Sequence, residues 1–456
     1  MALTKPRFFW RFRELGLLVL VYLIAGVGYV SVSVAAMYRT GGDPNLVIVP
    51  ALLPVIGILV PFTALHVALS LRRVAFEQII LPIVALLFVI GSLEIWRLRG
   101  MDGISQQILR GLIPGALVGL GLILWTPSVE QVRRYAVPVG LAGLGLLFLT
   151  SVVGVRDETG ARLSLKLGPL PSVQTSELIK IALIVFMAWY IEREGRAAEG
   201  RATTFLFFRL PSPRYIIPAA LFVGAATLAL VAMSDFGAVL ILGALFIAML
   251  FTGFETRIFA TIATIGLVLG LAVGLVLTQV WTIPTTIQNR YLAFRNPWST
   301  QMMANGYTIA EGPGYQIQQS IYAVIAGGVS GAGLGMGSPT FVPLAQSDFI
   351  LAAIMEEMGS AVGIAVLVLY AVLVLRIFRV VLLLPRAQVF ERLLLVGIGV
   401  HFFAQVFIMA AGTLDLTPLT GVTMPFLSLG GVALMVNLIE VGLVLAVMQR
   451  VEGAMV

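Results

Sequence analysis

Apolar runs of bilayer length recur from one end of this chain to the other. Twelve are legible, at approximately 15–37, 46–69, 76–96, 108–126, 135–154, 176–193, 215–233, 236–254, 258–280, 347–376, 392–412 and 426–448. About 20 apolar residues span the hydrocarbon core of a membrane as a helix. Lipid offers no partner for a backbone N–H or C=O, so such runs must be helices that satisfy those groups internally. The chain is 59% hydrophobic and 11% charged, whereas soluble domains carry about 25% charged residues. The expected fold is therefore all-α, polytopic and membrane-embedded.

No repeat or low-complexity linker divides the chain, so 1–456 is read as a single transmembrane domain. The first apolar run has full spanning length and lacks a small-residue cleavage site, so no removable signal peptide is expected. With no cysteine among the 456 residues, disulfides, thiolate chemistry and Fe–S clusters drop out. No Lys/Arg block resembles a nucleic-acid patch, and no nucleic-acid partner is expected. His66 and His401 are isolated in apolar spans, which fits core histidines bonded to backbone carbonyls better than metal ligands.

Nineteen of the 29 Lys and Arg fall on one side and ten on the other if the N-terminus is cytoplasmic. The positive-inside rule then places both termini in the cytoplasm. The ten outer cations are Arg39, Arg97, Arg99, Arg110, Arg156, Arg162, Lys166, Lys180, Arg290 and Arg295. Cations on that side are disfavoured by topology, so they invite a function such as binding a diphosphate. Salt bridges to Asp157, Glu158 and Glu177 are the ordinary alternative. The turn at Ser234-Asp235-Phe236 is short enough to force a helical hairpin.

The segment 281–347 falls on the outer side. It is rich in Gly, Gln, Ser and Asn, and Glu311 is its one carboxylate. A loop this long usually carries function. Gln316 to Ala326 is expected to form a short helix within it, followed by a Gly-rich run over 327–337. Glu177 and Lys180 stand three residues apart and share a helix face. Ionisable groups inside a membrane helix are functional candidates, although a structural ion pair at the helix start is the plain alternative.

Several motifs stand in one order. Gly160-Ala161-Arg162 is followed by Lys166 and by Gln174-Thr175-Ser176-Glu177-Leu178-Ile179-Lys180. Then come Ser234-Asp235-Phe236-Gly237, Phe294-Arg295-Asn296-Pro297, Gly314-Tyr315-Gln316-Ile317-Gln318-Gln319-Ser320 and the Gly-rich run. Gln346-Ser347-Asp348-Phe349-Ile350, Glu356-Glu357-Met358-Gly359 and Leu419-Thr420-Gly421 through Pro425-Phe426-Leu427-Ser428-Leu429-Gly430-Gly431 complete the set. Together they resemble the shape, elongation, division and sporulation family, the RodA/FtsW/SpoVE proteins. The resemblance covers roughly 150–449 and leaves residues 1–100 outside it. A family core of ten spans would make about two N-terminal helices additional.

The resemblance implies a peptidoglycan glycosyltransferase that polymerises lipid II at the outer face of the bacterial cytoplasmic membrane. It implies a class B penicillin-binding protein (a transpeptidase) as partner. Arg162, Lys166 and Lys180 would bind the undecaprenyl diphosphate of the substrate. Glu177, Asp235, Gln319, Ser320 and Asp348 would complete the substrate site. A divalent cation such as Mg²⁺ could bridge diphosphate and carboxylate. The family's loop Asp is absent, because alignment from Gly314-Tyr315-Gln316 puts Ile309 there. Glu311 is then the candidate general base. Three readings stay open: an active polymerase using Glu311, a non-catalytic scaffold or regulator of a penicillin-binding protein, or a flippase for lipid-linked precursors.

Overall fold

The described apolar runs fold as helices in the computed structural model, which describes residues 11–40, 48–74, 77–125, 128–155, 164–166, 172–200, 203–205, 208–210, 214, 217–253, 285–303 and 306–455. The helices of nine residues or more are α1 (Phe12–Thr40), α2 (Ile48–Leu71), α3 (Ile80–Gln107), α4 (Ile113–Leu124), α5 (Ala136–Val153), α6 (Thr175–Gly200) and α7 (Ile217–Ala232). They continue as α8 (Phe236–Gly253), α9 (Thr285–Arg295), α10 (Pro313–Gly327), α11 (Ile350–Met358), α12 (Ser360–Leu383), α13 (Val389–Thr413) and α14 (Gly431–Met455). Among the described residues, eight helices are long and apolar enough to cross a membrane, and the protein is an integral membrane protein. The expected span 258–280 lies outside the described residues. α7 is a shorter apolar helix, and α6 is bounded by Glu177 and Lys180 at one end and Glu192 and Arg193 at the other.

Two expectations about span boundaries change. A loop was expected over 97–107, yet helix runs through it to a π-helical turn at Ile108–Leu112, interrupted at Gly100. Gly100 has φ +59°, a conformation that costs glycine little because it has no Cβ. The expected single span at 347–376 is instead broken between α11 and α12 at Gly359, where φ is +89°. The break frees the first amides of α12, and the Gly-rich run takes them. Ser360 N–H donates to the Gly328 carbonyl and Ala361 N–H to that of Val329. A Cβ on Gly359 would collide with that same stretch of backbone, at 2.6 Å from the Gly331 nitrogen.

By contacts the chain forms two units, each discontinuous in sequence. The first comprises Met1–Val129, Asn296–Arg376 and Val406–Val456. Within it α14 lies along α4. Gly111, Gly115 and Gly119 recur every fourth residue and give α4 and the turn before it a small-residue face. A Cβ on Gly115 would sit 2.8 Å from Leu438 Cβ, and one on Gly442 would sit 2.8 Å from the Gly119 Cα. The two backbones approach this closely because neither carries a side chain at Gly119 and Gly442. The signature before α14 is fastened by Gln107, which is fully buried. Its amide donates to the Ser428 carbonyl at 2.9 Å and accepts from Gly430 N–H at 3.0 Å.

The N-terminal helices belong to this unit. Glu14 pairs with Arg11 and accepts from His66 Nδ1 at 2.7 Å, all three being buried. His66 therefore bonds a carboxylate, where a backbone carbonyl was expected. A lone buried carboxylate is costly, so Glu14 needs the Arg11 cation and the His66 N–H.

The second unit comprises Glu130–Arg295 and Ile377–Gln405. Here α6 packs against α5, α7 and α8. Phe186 of α6 stacks on Phe222 of α7 with ring centroids 4.3 Å apart, a geometry favoured by aromatic pairs. α7 and α8 form the expected hairpin, with Ser234 at φ +62° in the turn. Two short strands, β1 (Ser164–Leu165) and β2 (Val173–Gln174), pair antiparallel immediately before α6.

Candidate active site

The start of α6 carries the first cluster. Thr175 opens the helix and its hydroxyl donates to Thr150 Oγ1 of α5 at 2.9 Å. One turn further, Lys180 Nζ lies 2.7 Å from Glu177 Oε2, with both side chains buried. The i,i+3 spacing puts both groups on one face, and burial leaves each as the other's main charge partner. Asp235 joins them from the α7–α8 turn. Its Oδ1 accepts the Ala238 N–H at 3.0 Å, capping α8, and it interacts electrostatically with Lys180 and Glu177. Three of the sequence-chosen residues thus meet, although Asp235 lies more than fifty positions from the other two. Lys166 is exposed at the end of β1, in the ribbon that leads into α6. Arg162 lies outside the described residues.

The other chosen residues belong to the first unit. The loop from Asn296 to Gly312 folds on itself through backbone bonds. Met303 N–H donates to Tyr307, Ile309 N–H to Gln301 and Ala310 N–H to Ser299. Gln318 of α10 secures it by donating to the Pro297 and Ala310 carbonyls at 2.7 and 3.2 Å. Ile309 is 1% exposed and Glu311 is at the surface. The position that aligned with the family Asp therefore fills the loop's interior, and Glu311 presents its carboxylate outward. Thr308 N–H and Oγ1 donate to Glu311 Oε2 at 3.1 and 2.8 Å. These bonds hold the Glu311 carboxyl below the usual carboxylate range, the backbone bond first and the hydroxyl second.

Gln319 is half-buried on α10, and Asp348 is half-buried just before α11. Ser320 is fully buried, and its hydroxyl donates to the Thr413 carbonyl at 2.9 Å. That bond ties α10 to the end of α13, so Ser320 serves packing here. Among the described residues no three His, Asp or Glu side chains converge to hold a metal ion.

Sequence reasoning assigned no role to Glu356 and Glu357. Both are buried, and both turn their carboxylates onto the Gly-rich run. Glu357 Oε2 accepts Gly335 N–H at 2.7 Å and Glu356 Oε1 accepts Ser338 N–H at 2.7 Å. Arg97 Nε donates to Glu357 Oε1 at 3.2 Å. The paired carboxylates were visible in the motif, but their partners lie some twenty residues upstream and on α3.

The FtsW/RodA/SpoVE family model, described as cell cycle protein, matches residues 72–452. The peptidoglycan glycosyltransferase RodA of Mycobacterium bovis is 30% identical over 397 residues, covering 84% of this chain and 80% of that protein. Stage V sporulation protein E of Bacillus subtilis is 34% identical over 279 residues, covering 60% of this chain and 68% of that protein. Among solved structures, a chain of a peptidoglycan synthase complex that coordinates polymerisation and crosslinking is similar at TM-score 0.65 and 26% identity. The match covers 82% of this chain and 98% of that one. The crystal structure of Thermus thermophilus RodA, at TM-score 0.55 and 23% identity over 82% of this chain and 97% of that one, shares the fold. This chain belongs to the FtsW/RodA/SpoVE family of cell cycle proteins.

Proposed function

We propose that this protein is a peptidoglycan glycosyltransferase that polymerises lipid II at the outer face of the bacterial cytoplasmic membrane, with both termini in the cytoplasm. The acceptor sugar hydroxyl attacks the anomeric carbon of the lipid-bound glycan. The bond from that carbon to the diphosphate oxygen breaks, undecaprenyl diphosphate leaves, and the hydroxyl proton passes to a base. Glu311 supplies the base. The observation that carries this role is its carboxylate, the one acid of the 281–347 segment, exposed on the loop and oriented by Thr308. A carboxyl must be ionised to serve as a general base.

Lys180 places a cation in the second unit, oriented by Glu177 and shared with Asp235. With Lys166 and Arg162 it supplies positive charge for the leaving diphosphate, the group on which negative charge develops. A divalent cation taking part would bridge that diphosphate and a carboxylate, as Mg²⁺ commonly does with phosphates. The partner is a class B penicillin-binding protein, which crosslinks the strands that this protein makes.

A second reading, the non-catalytic scaffold, is favoured by Ile309, which puts a buried apolar side chain where the family resemblance expects an acid. Purified protein incubated with lipid II and its transpeptidase separates the two. Glycan strands from wild type, with loss of at least about a hundred-fold in Glu311→Gln, support the polymerase. Strands made equally well by Glu311→Gln and Glu311→Ala remove Glu311 as the base. No strands from wild type, even with its partner, favour the scaffold or, if lipid II crosses proteoliposome membranes, a flippase.

A further inference from the structure

Helix α1 precedes the region matched by the family model, which begins at residue 72. It nevertheless reaches the Gly-rich run of the candidate active-site loop. Arg39, in its last turn, donates from Nη2 to the Gly337 carbonyl at 2.7 Å. Arg97 Nη2 donates to the same oxygen at 3.3 Å, so two guanidinium groups converge on one carbonyl. A carbonyl oxygen has two lone pairs, and this arrangement uses both. The amides on either side of Gly337 are held as well, Gly335 by Glu357 and Ser338 by Glu356. Neutral backbone hydrogen bonds are modest, and bonds to charged partners are about twice as strong. This turn therefore has charged partners on both its donors and its acceptor.

α1 itself cannot drift. At one end Arg11 donates to the carbonyls of Val74 and Glu77, and Glu14 bonds His66. Along its length Trp96 Nε1 donates to Ser33 Oγ at 3.0 Å, and a Cβ on Gly28 would lie 2.6 Å from Leu93 Cδ1. Near its other end a Cβ on Gly335 would lie 2.7 Å from Ala35 Cβ. The Gly335 backbone, at φ +80°, is thus seated directly on α1.

We propose that Arg39 is a positioning residue and that α1 is a brace, added outside the family-matched region, that fixes the Gly-rich turn at 333–338. Through α10 this turn is continuous with the loop that carries Glu311. Its consequence for catalysis rests on the polymerase reading above, whereas its consequence for loop order does not. Topology disfavours cations on the outer side of a membrane. Arg39 and Arg97 are two such cations, and the Gly337 carbonyl gives both a reason to be there.

The experiment is hydrogen exchange on the full-length protein in detergent, read at the Gly335 and Ser338 amides, beside lipid II polymerisation kinetics. In Arg39→Gln both amides exchange about ten-fold faster, as loss of one charge-assisted bond implies. The rest of α1 and α3 keeps wild-type protection. Polymerisation loses kcat by a similar factor with KM within about two-fold, and Arg39→Lys recovers part of both because one N–H can still reach the carbonyl. Leu20→Ala, on the exposed face of α1, matches wild type in every readout. Unchanged exchange at Gly335 and Ser338 in Arg39→Gln overturns the proposal, as does uniform loosening of the whole unit. If Arg39→Gln does not fold, Arg39→Lys against wild type at the same amides decides. A wild type that makes no glycan defeats the polymerase reading and leaves the exchange result to judge the brace.

Discussion

Thr308 and Glu311 bind each other in both directions. The Thr308 amide and hydroxyl donate to Glu311 Oε2, and the Glu311 amide donates back to Thr308 Oγ1 at 3.2 Å. The pattern is that of a capping box, with the partners three positions apart, placed just ahead of α10. It fixes where the candidate base stands and keeps its proton off.

Thr308→Val tests that second effect. The variant keeps the backbone donor and loses the hydroxyl. A carboxyl held below its usual range stays charged to lower pH, so removing one cause of the depression lets it protonate earlier as pH falls. The acidic limb of the polymerisation pH profile then moves upward, with the alkaline limb in place. A limb at the wild-type position means Glu311 does not set it.

The Glu177–Lys180 pair makes a prediction about stability. Lys180→Met leaves Glu177 buried without its cation, at a cost of about 3–5 kcal/mol. The double variant Glu177→Gln/Lys180→Met removes both charges and recovers most of it. Thermal unfolding of the purified single and double variants measures this. Equal destabilisation in the two would show that the charges are not coupled.

Gly442→Ala places a methyl group against the Gly119 backbone, where nothing flexible can move aside. α14 and α4 must separate, and overpacking of this kind costs about 1–3 kcal/mol. Gly145→Ala is the control, since its added Cβ meets nothing within 4 Å. Melting temperatures that fall alike in both would remove close helix approach as the cause.

Gln107→Leu leaves the Ser428 carbonyl and Gly430 N–H without their partner, each costing about 1–3 kcal/mol if water cannot enter. The signature 424–431 then exchanges faster with deuterium, and the rest of α14 keeps its protection. Wild-type exchange across 424–431 would show that Gln107 does not fasten it.

Chelation distinguishes a cation brought by substrate from one built into the protein. If the cation arrives with the substrate, the melting temperature of substrate-free protein stays the same on adding EDTA. Polymerisation falls under EDTA and returns with Mg²⁺. A drop in melting temperature on chelation would point to a protein-held ion.

Much of the fold was legible because the membrane leaves few options. Lipid-exposed backbone must be helical, so each apolar run announced a helix. The hairpin at Ser234–Asp235 and the short helix after Pro313 followed from turn length and apolar pattern. Gly100 and Gly359 were less clear, since glycine is common in membrane helices and only the φ value separates a tolerated glycine from a break. At the site, Glu177 and Lys180 shared a face by spacing alone, whereas the bond from Ser320 to the end of α13 was not legible.

The sequence by itself determined the helical class, the family, and the identity of the lone loop carboxylate, because hydropathy, motif order and composition are local properties of the chain. Only the tertiary structure decided that Asp235 joins Glu177 and Lys180, that Ile309 turns inward while Glu311 faces out, and that Arg39 reaches Gly337 across nearly three hundred residues. Those are long-range pairings. Burial and the need to satisfy every buried polar group choose them, and no window of sequence contains both partners.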